Sequence, residues 1–169
     1  MLKEQPSHSP KKAEQRLVVT RKFRAPRQLV WNAWSEPKHF MRWWGPKGFT
    51  SPSCVIDFRV GGKYLYCMSS PNGMTMWNTG IYKEIIPIEK MTFTHALSDE
   101  KGNIVTATYY QMPDNGADPE MLVILTFKEQ NGETEMMLTQ IGYGDGNIFG
   151  YAEMGWNQAF DKLADSLSK

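Results

Sequence analysis

Two periodicities separate the middle of the chain from its C-terminal end. From residue 52 onward, short runs alternate apolar and polar residues and are interrupted by glycine, proline and asparagine. A period of two is typical of strands that bury one face, and the interrupting residues are typical of turns. The C-terminal segment instead carries apolar residues three and four positions apart, which predicts a helix of about five turns. These residues are Phe149, Ala152, Trp156, Phe160, Leu163 and Leu167.

The beginning of the chain predicts a tail followed by a first strand. Residues 1–14 are polar, so we expect a disordered tail and then a single domain over residues 15–169. The run RLVVTRKF at 16–23 mixes β-branched and basic residues. This composition favours a strand at the start of the domain.

Prolines mark the start of two short helices after this strand. Pro26 suits the first turn of one helix, and Pro37 suits the first turn of a second, with Ser35 or Glu36 as its cap. Gly45-Pro46 is expected to end the second helix. Glycine tolerates the left-handed conformation that often closes a helix, and proline often follows such an end.

The strand region predicts six strands joined by turns. Four occupy residues 52–103, and two more, at 120–130 and 133–144, are joined by Asn131-Gly132, a strong hairpin signal. Residues 104–119 are interpreted as a long loop. The resulting order is one strand, two helices, six strands and a helix, which lacks the βαβ alternation of a parallel sheet. We therefore expect an α+β fold with one antiparallel sheet of about 6–7 strands and the long helix across one face.

Strand alternation assigns one face of this sheet to the interior beneath the final helix. That face is apolar and rich in methionine and tyrosine, with the polar side chains of Asn78, His95 and Gln140 among them. Either it forms a solid core in which these polar groups are paired, or it lines a cavity in which they converge on a small molecule. The candidate cavity residues are Trp44, Tyr64, Tyr66, Met68, Met76, Asn78, Tyr82, Phe93, His95, Phe127, Met136, Leu138, Gln140, Phe149, Trp156 and Phe160.

The run HFMRWWGPKGF at 39–49 places two tryptophans side by side before a helix end. Adjacent residues of a helix point about 100° apart, so the two rings cannot share one face. We expect Trp43, three positions after Phe40, to join the core, and Trp44 to face the cavity or its rim.

Composition and charge narrow the classes of function. The chain has 169 residues, of which 41% are hydrophobic and 22% charged, with a net charge of +1. The lack of a basic excess argues against nucleic-acid binding. No apolar run reaches the ~18 residues needed to span a bilayer, and the first residues hold no run typical of a secretory signal, so we expect a cytoplasmic location. Cys54 and Cys67 are interpreted as free thiols of a reducing compartment.

Signatures of common catalytic and metal sites are absent from the sequence. It contains no GxSxG, HExxH or CxxC motif, and His8, His39 and His95 lie in separate segments. We therefore expect no metal and no cofactor. His95 is the histidine on the inner face, either as a neutral core residue or as a polar anchor or general base, and it is the weak candidate for catalysis.

Four segments carry a resemblance to a known family. They are VWNAWSEPKHFMRWWGPKGF at 30–49, DFRVGGKYLYCM at 57–68, WNTGIYKEIIPIEKMTFT at 77–94 and GWNQAFDKLADSL at 155–167. In this order they resemble the activator-of-Hsp-90-ATPase-like branch of the helix-grip superfamily, also called START-like or SRPBCC, over about residues 15–168. The resemblance implies a curved antiparallel sheet wrapped around a long C-terminal helix, with a deep hydrophobic cavity between them.

The inner face and the resemblance leave three functions open. The first is binding of a small hydrophobic or aromatic molecule in the cavity. The second is an enzyme of the cyclase or hydrolase type that uses the same cavity, with His95, Tyr64, Tyr66 and Gln140 as its polar groups. The third, implied by the family alone, is a co-chaperone that stimulates the heat-shock ATPase. Homodimerisation through edge strands or the 104–119 loop is left open as well.

Overall fold

A computed structural model of the chain describes residues 15–114, 116–143 and 147–168, with side chains in the last range from Gly150 onward. The predicted tail at 1–14 lies outside these residues. The described strands are β1 (Gln15–Phe23), β2 (Cys54–Ile56), β3 (Lys63–Ser69), β4 (Thr75–Ile86), β5 (Lys90–Ser98), β6 (Met121–Gln130) and β7 (Glu133–Tyr143). The helices are α1 (Arg27–Ser35), α2 (Pro37–Phe40) and α3 (Asn147–Leu167), with a 3₁₀ turn at Ala107–Tyr110.

The seven described strands form one curved sheet in the order β1-β7-β6-β5-β4-β3-β2. Every neighbouring pair is antiparallel, and β1 and β2 are the two edge strands. The first strand thus pairs with the last one, while α1 and α2 occupy the connection between the two edges. α3 follows β7 and packs across the inner face. The predicted α+β helix-grip fold and its order of elements are confirmed.

The second helix is shorter than predicted and is not capped by a side chain. α2 ends at Phe40, and the backbone N–H groups of Trp43 and Trp44 both donate to the Phe40 carbonyl at 3.2 Å in a following turn. Gly45, at φ +101°, then ends this turn. Glu36 holds the cap position, but its side chain makes no capping hydrogen bond. The proline at the next position has no N–H group, so one donor fewer needs a cap.

The predicted long loop at 104–119 contains structure of its own. Its 3₁₀ turn carries Tyr110, whose hydroxyl accepts the backbone N–H of Trp77 at 2.9 Å and donates to the carbonyl of Ser98. Trp77 and Ser98 face each other in register on β4 and β5. The Tyr110 side chain therefore bridges the two strands at a point where their backbones would otherwise bond directly. Neither the alternation of the strands nor the composition of the loop predicts this contact.

Over most of β6 and β7 the face predicted to point inward is the buried one. The inward residues from Val123 to Phe127 and from Met136 to Gln140 are at most 2% exposed, whereas their neighbours on the other face are partly or fully exposed. α3 covers this face with four buried residues. The buried inward residues of the two strands and the helix are Val123, Leu125, Phe127, Met136, Leu138, Gln140, Trp156, Ala159, Phe160 and Leu163. In β5 the prediction fails after Phe93, because Thr94 and Ala96, expected to face outward, are buried while His95 and Leu97 are partly exposed.

Side-chain hydroxyls replace backbone hydrogen bonds between β4 and β5 beside Gly80. The N–H group of Ile81 donates to Thr94 Oγ1 at 2.9 Å, and the Thr94 carbonyl accepts the hydroxyl of Tyr64 at 2.6 Å. A Cβ atom at Gly80 would lie 1.9 Å from that carbonyl oxygen and 2.6 Å from the Tyr64 ring. Because glycine has no side chain, the ring can lie over the strand and its hydroxyl can reach the neighbouring strand.

The variant Gly80→Ala tests this close approach. We expect it to lower the free energy of unfolding by roughly 2–4 kcal/mol, because the backbone of β4 must move away from Thr94 and the Tyr64 ring. Gly155→Ala is the control, since a Cβ there meets nothing within 4 Å in α3 and alanine should add about 0.5–1 kcal/mol. Urea unfolding measures both. Equal stabilities of Gly80→Ala and the wild type would contradict the described packing.

Candidate functional site

The structure brings the predicted cavity residues onto one surface between the sheet and α3. Met68 and His95 are partly exposed, whereas the other described members are buried. Phe149 belongs to α3, but its side chain lies outside the described residues. The surface has two ends, which differ in polarity.

The end beneath α1 is packed as a solid core. Phe127, Met136 and Leu138 are at most 1% exposed. The Trp31 ring meets Phe127 edge-on at a centroid distance of 5.3 Å, and the indole nitrogen of Trp34 lies 3.2 Å from the Met136 sulfur. The solid-core interpretation therefore describes this end, and the polar groups lie at the other.

The second end, called the polar end below, is lined by eight of the predicted residues. Adjacent strands bring them together, because Met68 faces Met76 and Tyr66 faces Asn78 in register. Its members are Trp44, Tyr66, Met68, Met76, Asn78, His95, Gln140 and Trp156.

Aromatic rings meet one another across the polar end. The Trp44 ring lies at centroid distances of 4.8 Å from Tyr66, 5.4 Å from Trp156 and 5.9 Å from His95. These are contact distances for aromatic pairs. In this structure the rings thus occupy the space in which the sequence predicts a cavity.

The two adjacent tryptophans differ in how their indole N–H groups are paired. Trp43 is fully buried and donates to the carbonyl of Ala33 at 2.9 Å. Trp44 is 6% exposed, and its Nε1 has no hydrogen-bond partner within the described part of the chain. A buried donor without an acceptor costs about 1–3 kcal/mol. The prediction that Trp43 belongs to the core is confirmed, and Trp44 places an unpaired donor at the polar end.

His95 takes part in a hydrogen-bonded chain with two neighbours. Tyr64 donates its one hydroxyl proton to the Thr94 carbonyl, so the same oxygen can only accept from His95 Nδ1, which is 2.9 Å away. Nε2 is then the acceptor, and it faces Asn78 Nδ2 at 3.4 Å. Burial lowers the pKa of His95 to about 4, so the ring is neutral at pH 7. Burial also raises the pKa of Tyr64 well above its usual value.

Gln140 anchors the side of the polar end nearest α3. Its Oε1 accepts the Trp156 indole N–H at 2.8 Å and the hydroxyl of Tyr143. Its Nε2 points at the sulfur of Met121, 3.3 Å away. With both donors on the oxygen, the orientation of the amide is fixed.

Sequence reasoning missed Met121 and Tyr143. Met121 shares its strand face with Val123, so alternation could have identified it. Tyr143 could not be found in this way, because Gly142, at φ +121°, lies where β7 has an irregular register against β1. Alternation is broken there, and the tyrosine turns inward three residues after Gln140.

Lys162 of α3 holds the backbone of the segment that carries Trp44. The three N–H groups of its ammonium are shared among the carbonyl oxygens of Trp44, Gly45, Pro46 and Phe49, which lie 3.3, 3.1, 3.3 and 2.9 Å from Nζ respectively. Four carbonyl oxygens around one ammonium resemble the coordination of a bound cation. The residue was missed because the helical periodicity marks it only as a polar position beside the apolar stripe.

A groove of about 560 Å³ lies beside Lys162. Its lining includes Arg42, Lys162, Asp165 and Ser166. Among the residues whose side chains the structure describes, none of the predicted cavity residues lines this groove. Its lining side chains are polar and of mixed charge, which distinguishes it from the aromatic surface of the polar end.

Among the described residues, no group of three or more His, Cys, Asp or Glu side chains could hold a metal ion. None of the described helices has the length and apolar character needed to cross a membrane. Cys54 and Cys67 are both free, as predicted.

Comparisons with known proteins agree with this architecture. The family model described as activator of Hsp90 ATPase homolog 1-like protein matches residues 24–168. No curated protein sequence matches the chain.

Solved bacterial structures of similar fold cover nearly the whole chain. A protein from Nitrosomonas europaea is 24% identical with a TM-score of 0.72, covering 92% of this chain and 96% of its own. One from Chromobacterium violaceum is 23% identical with a TM-score of 0.73, covering 91% and 97%. The AHSA1 protein from Silicibacter pomeroyi is 21% identical with a TM-score of 0.71, covering 91% and 98%. At these identities the similarity establishes the fold.

The neutral state of His95 predicts a pH dependence of stability. The folded-state pKa of about 4 lies below the ordinary histidine pKa of 6.5, so the unfolded chain binds more protons between these values. Stability is therefore complete above pH 6.5 and falls toward pH 4, by up to about 3 kcal/mol. We expect the unfolding free energy of His95→Gln to lack this decrease between pH 6.5 and pH 4. The control His39→Gln, which changes a surface histidine, should still show the decrease. Parallel curves of unfolding free energy against pH for His95→Gln and the wild type would refute the assignment.

The Lys162 contact predicts a loss of stability on removing the ammonium group. Lys162→Met keeps the apolar stem but removes the donor that the four carbonyls share, of which Pro46 still accepts the N–H group of Phe49. We expect a loss of roughly 1–3 kcal/mol. Lys128→Met, at an exposed position, should change stability by less than about 0.5 kcal/mol. Urea unfolding compares the two variants. Similar losses in both would show that the carbonyl contacts contribute little.

Proposed function

The chain belongs to the family of activator of Hsp90 ATPase homolog 1-like proteins, and from this premise we propose that it binds a small apolar or aromatic molecule at the polar end. The family has a START-like, ligand-binding fold. The proposal places the molecule between the sheet and α3, in contact with Trp44, Tyr66, His95 and Trp156. The chemical class of this molecule is inferred from the chemistry of these residues rather than from the family.

The unpaired indole N–H of Trp44 is the observation that carries the proposal. It is buried among rings at the one end of the inner face where polar groups collect. A bound molecule with an acceptor atom would remove the cost of leaving this donor unpaired. The rings of Tyr66 and Trp156, on either side of Trp44, offer flat apolar surfaces for stacking.

Entry of a guest requires the aromatic layer to open. The partial exposure of Met68, His95 and Met121 marks the polar end as the side nearest to solvent. Trp44 is less deeply buried than Trp43, and its indole N–H has no hydrogen bond to a described residue that would break when the ring turns. Rotation of the Trp44 ring is therefore the least costly way of making room.

Catalysis is less well supported by the same residues. The hydrogen-bond partners of His95 are Tyr64 and Asn78. Neither an ionised carboxylate nor a nucleophile is among them, and the raised pKa of Tyr64 makes its hydroxyl a poor proton donor. The co-chaperone interpretation rests on the family description, and no contact among the described residues adds to it.

A neutral fluorescent probe, N-phenyl-1-naphthylamine, tests the proposal. For a guest of about twenty heavy atoms, ~0.3 kcal/mol per atom gives about 6 kcal/mol, or a Kd of tens of micromolar. We expect saturable binding with blue-shifted probe emission at this concentration. Met76→Trp should abolish binding, because Met76 lines the polar end and an indole there fills it.

The matched control is Met137→Trp, which adds the same ring to the opposite face of the sheet, where Met137 is 40% exposed. It should leave the Kd unchanged. Circular dichroism checks that both variants fold, and Met76→Ala, which enlarges the site, should retain binding. Absence of saturable binding to the wild type, or equal loss in both tryptophan variants, would overturn the proposal.

A further inference from the structure

Several hydrogen-bond acceptors at and beside the polar end are already occupied. Gln140 Oε1 accepts two bonds, from Trp156 and Tyr143. The Tyr64 hydroxyl donates to a carbonyl and accepts from His95, whose Nε2 in turn faces Asn78. A guest that brings a donor to Gln140, Tyr64 or His95 would have to displace one of these bonds.

The donors of the polar end are not all satisfied. Trp44 Nε1 has no partner within the described residues. Gln140 Nε2 has a thioether sulfur as its partner, which is a weak acceptor. A guest that brings an acceptor therefore adds a hydrogen bond without breaking one.

The interior also lacks ionised groups among the described residues. Its buried polar side chains are hydroxyls and amides, namely Ser51, Asn78, Thr94, Ser98, Thr134 and Gln140. The imidazole of His95 is neutral, because burial lowers its pKa to about 4. A carboxylate or an ammonium group in this place would have no counter-charge, and burying an unpaired charge costs several kcal/mol.

We propose that the molecule bound at the polar end is an uncharged aromatic compound with a carbonyl or similar acceptor, which accepts a hydrogen bond from Trp44 Nε1. This inference rests on the proposed function and narrows it. We expect neutral ketones and esters to bind more tightly than plain aromatic hydrocarbons of the same size, and much more tightly than fatty or aromatic acids and aliphatic amines, which are charged at pH 7.

Three naphthalenes of nearly equal size test the acceptor and the charge separately. 2-Acetylnaphthalene carries a carbonyl, 2-isopropenylnaphthalene replaces that oxygen with a methylene group, and 2-naphthoate carries a carboxylate. Calorimetric titration gives a Kd for each with the wild type, Trp44→Phe and Trp43→Phe. The ketone and the alkene differ in their free energy of transfer out of water, but this difference is the same for every variant. It therefore cancels when the ratio of ketone affinity to alkene affinity is compared between two proteins.

We expect Trp44→Phe to lower the preference for the ketone over the alkene by about fivefold, the value of one neutral hydrogen bond. Trp43→Phe should leave this ratio unchanged, because the Trp43 N–H is already paired in the core. The naphthoate should bind the wild type at least about tenfold more weakly than the ketone.

The outcomes separate this inference from the proposed function. If the probes bind but the ketone preference is the same in Trp44→Phe and the wild type, or if the naphthoate binds as tightly as the ketone, this inference is wrong and the binding function stands. If none of the three binds the wild type but N-phenyl-1-naphthylamine does, this inference is wrong and the binding function stands. If N-phenyl-1-naphthylamine does not bind either, both are wrong.

An independent measurement covers the case in which Trp44→Phe does not fold. The chain has six tryptophans, so the wild type gives a small set of indole ¹⁵N–¹H resonances. The ketone should move one indole proton downfield and the alkene should not. Equal shifts with both probes would contradict a hydrogen bond to the carbonyl.

Discussion

The sheet has seven described strands, and its inner face has to be covered largely by α3. Strands lie about 4.8 Å apart, so the sheet is roughly 30 Å wide, whereas a helix with its side chains is about 10 Å across. A single helix therefore leaves part of the inner face uncovered. The chain fills the difference with large rings from α1, from the turn after α2 and from the strands. The closely spaced tryptophans Trp31, Trp34, Trp43 and Trp44 follow from this requirement, and all four are buried.

The same constraint explains why polar groups collect at one end. Beneath α1 the rings and aliphatic side chains interlock, and the indole N–H groups of Trp34 and Trp43 find partners. Farther from α1 the strands themselves must supply the covering rings, and tyrosine and histidine bring polar atoms with them. Tyr64 uses its hydroxyl to bond the Thr94 carbonyl of β5 in place of a backbone group of β4. The polar atoms at this end are therefore present partly because they supply hydrogen bonds between neighbouring strands. The indole N–H group of Trp44 supplies no such bond.

The fold was predictable from sequence because it depends on patterns that repeat. Alternation along β6 and β7 identified the buried face, and the three-and-four spacing identified α3. Features that depend on a single irregularity were not predictable. Gly142 reverses the side on which Tyr143 lies, and Gly80 lets Tyr64 reach Thr94, yet both are single glycines in strand-like sequence. The early end of α2 and the Lys162 contact were missed for a related reason, because each depends on backbone carbonyls that carry no sequence signal.

The hydrogen bonds of Lys162 to the backbone around Trp44 limit how fast a bound molecule could exchange. Because the carbonyls of Trp44, Gly45, Pro46 and Phe49 are bonded to Lys162 of α3, this segment moves with the helix and does not swing open as a free loop. The remaining freedom is rotation of the Trp44 indole about its two side-chain torsions. Rotation of a large ring inside a packed interior is slow compared with the nanosecond motion of an exposed loop. We therefore expect slow association and long residence, with rates set by one side chain rather than by diffusion.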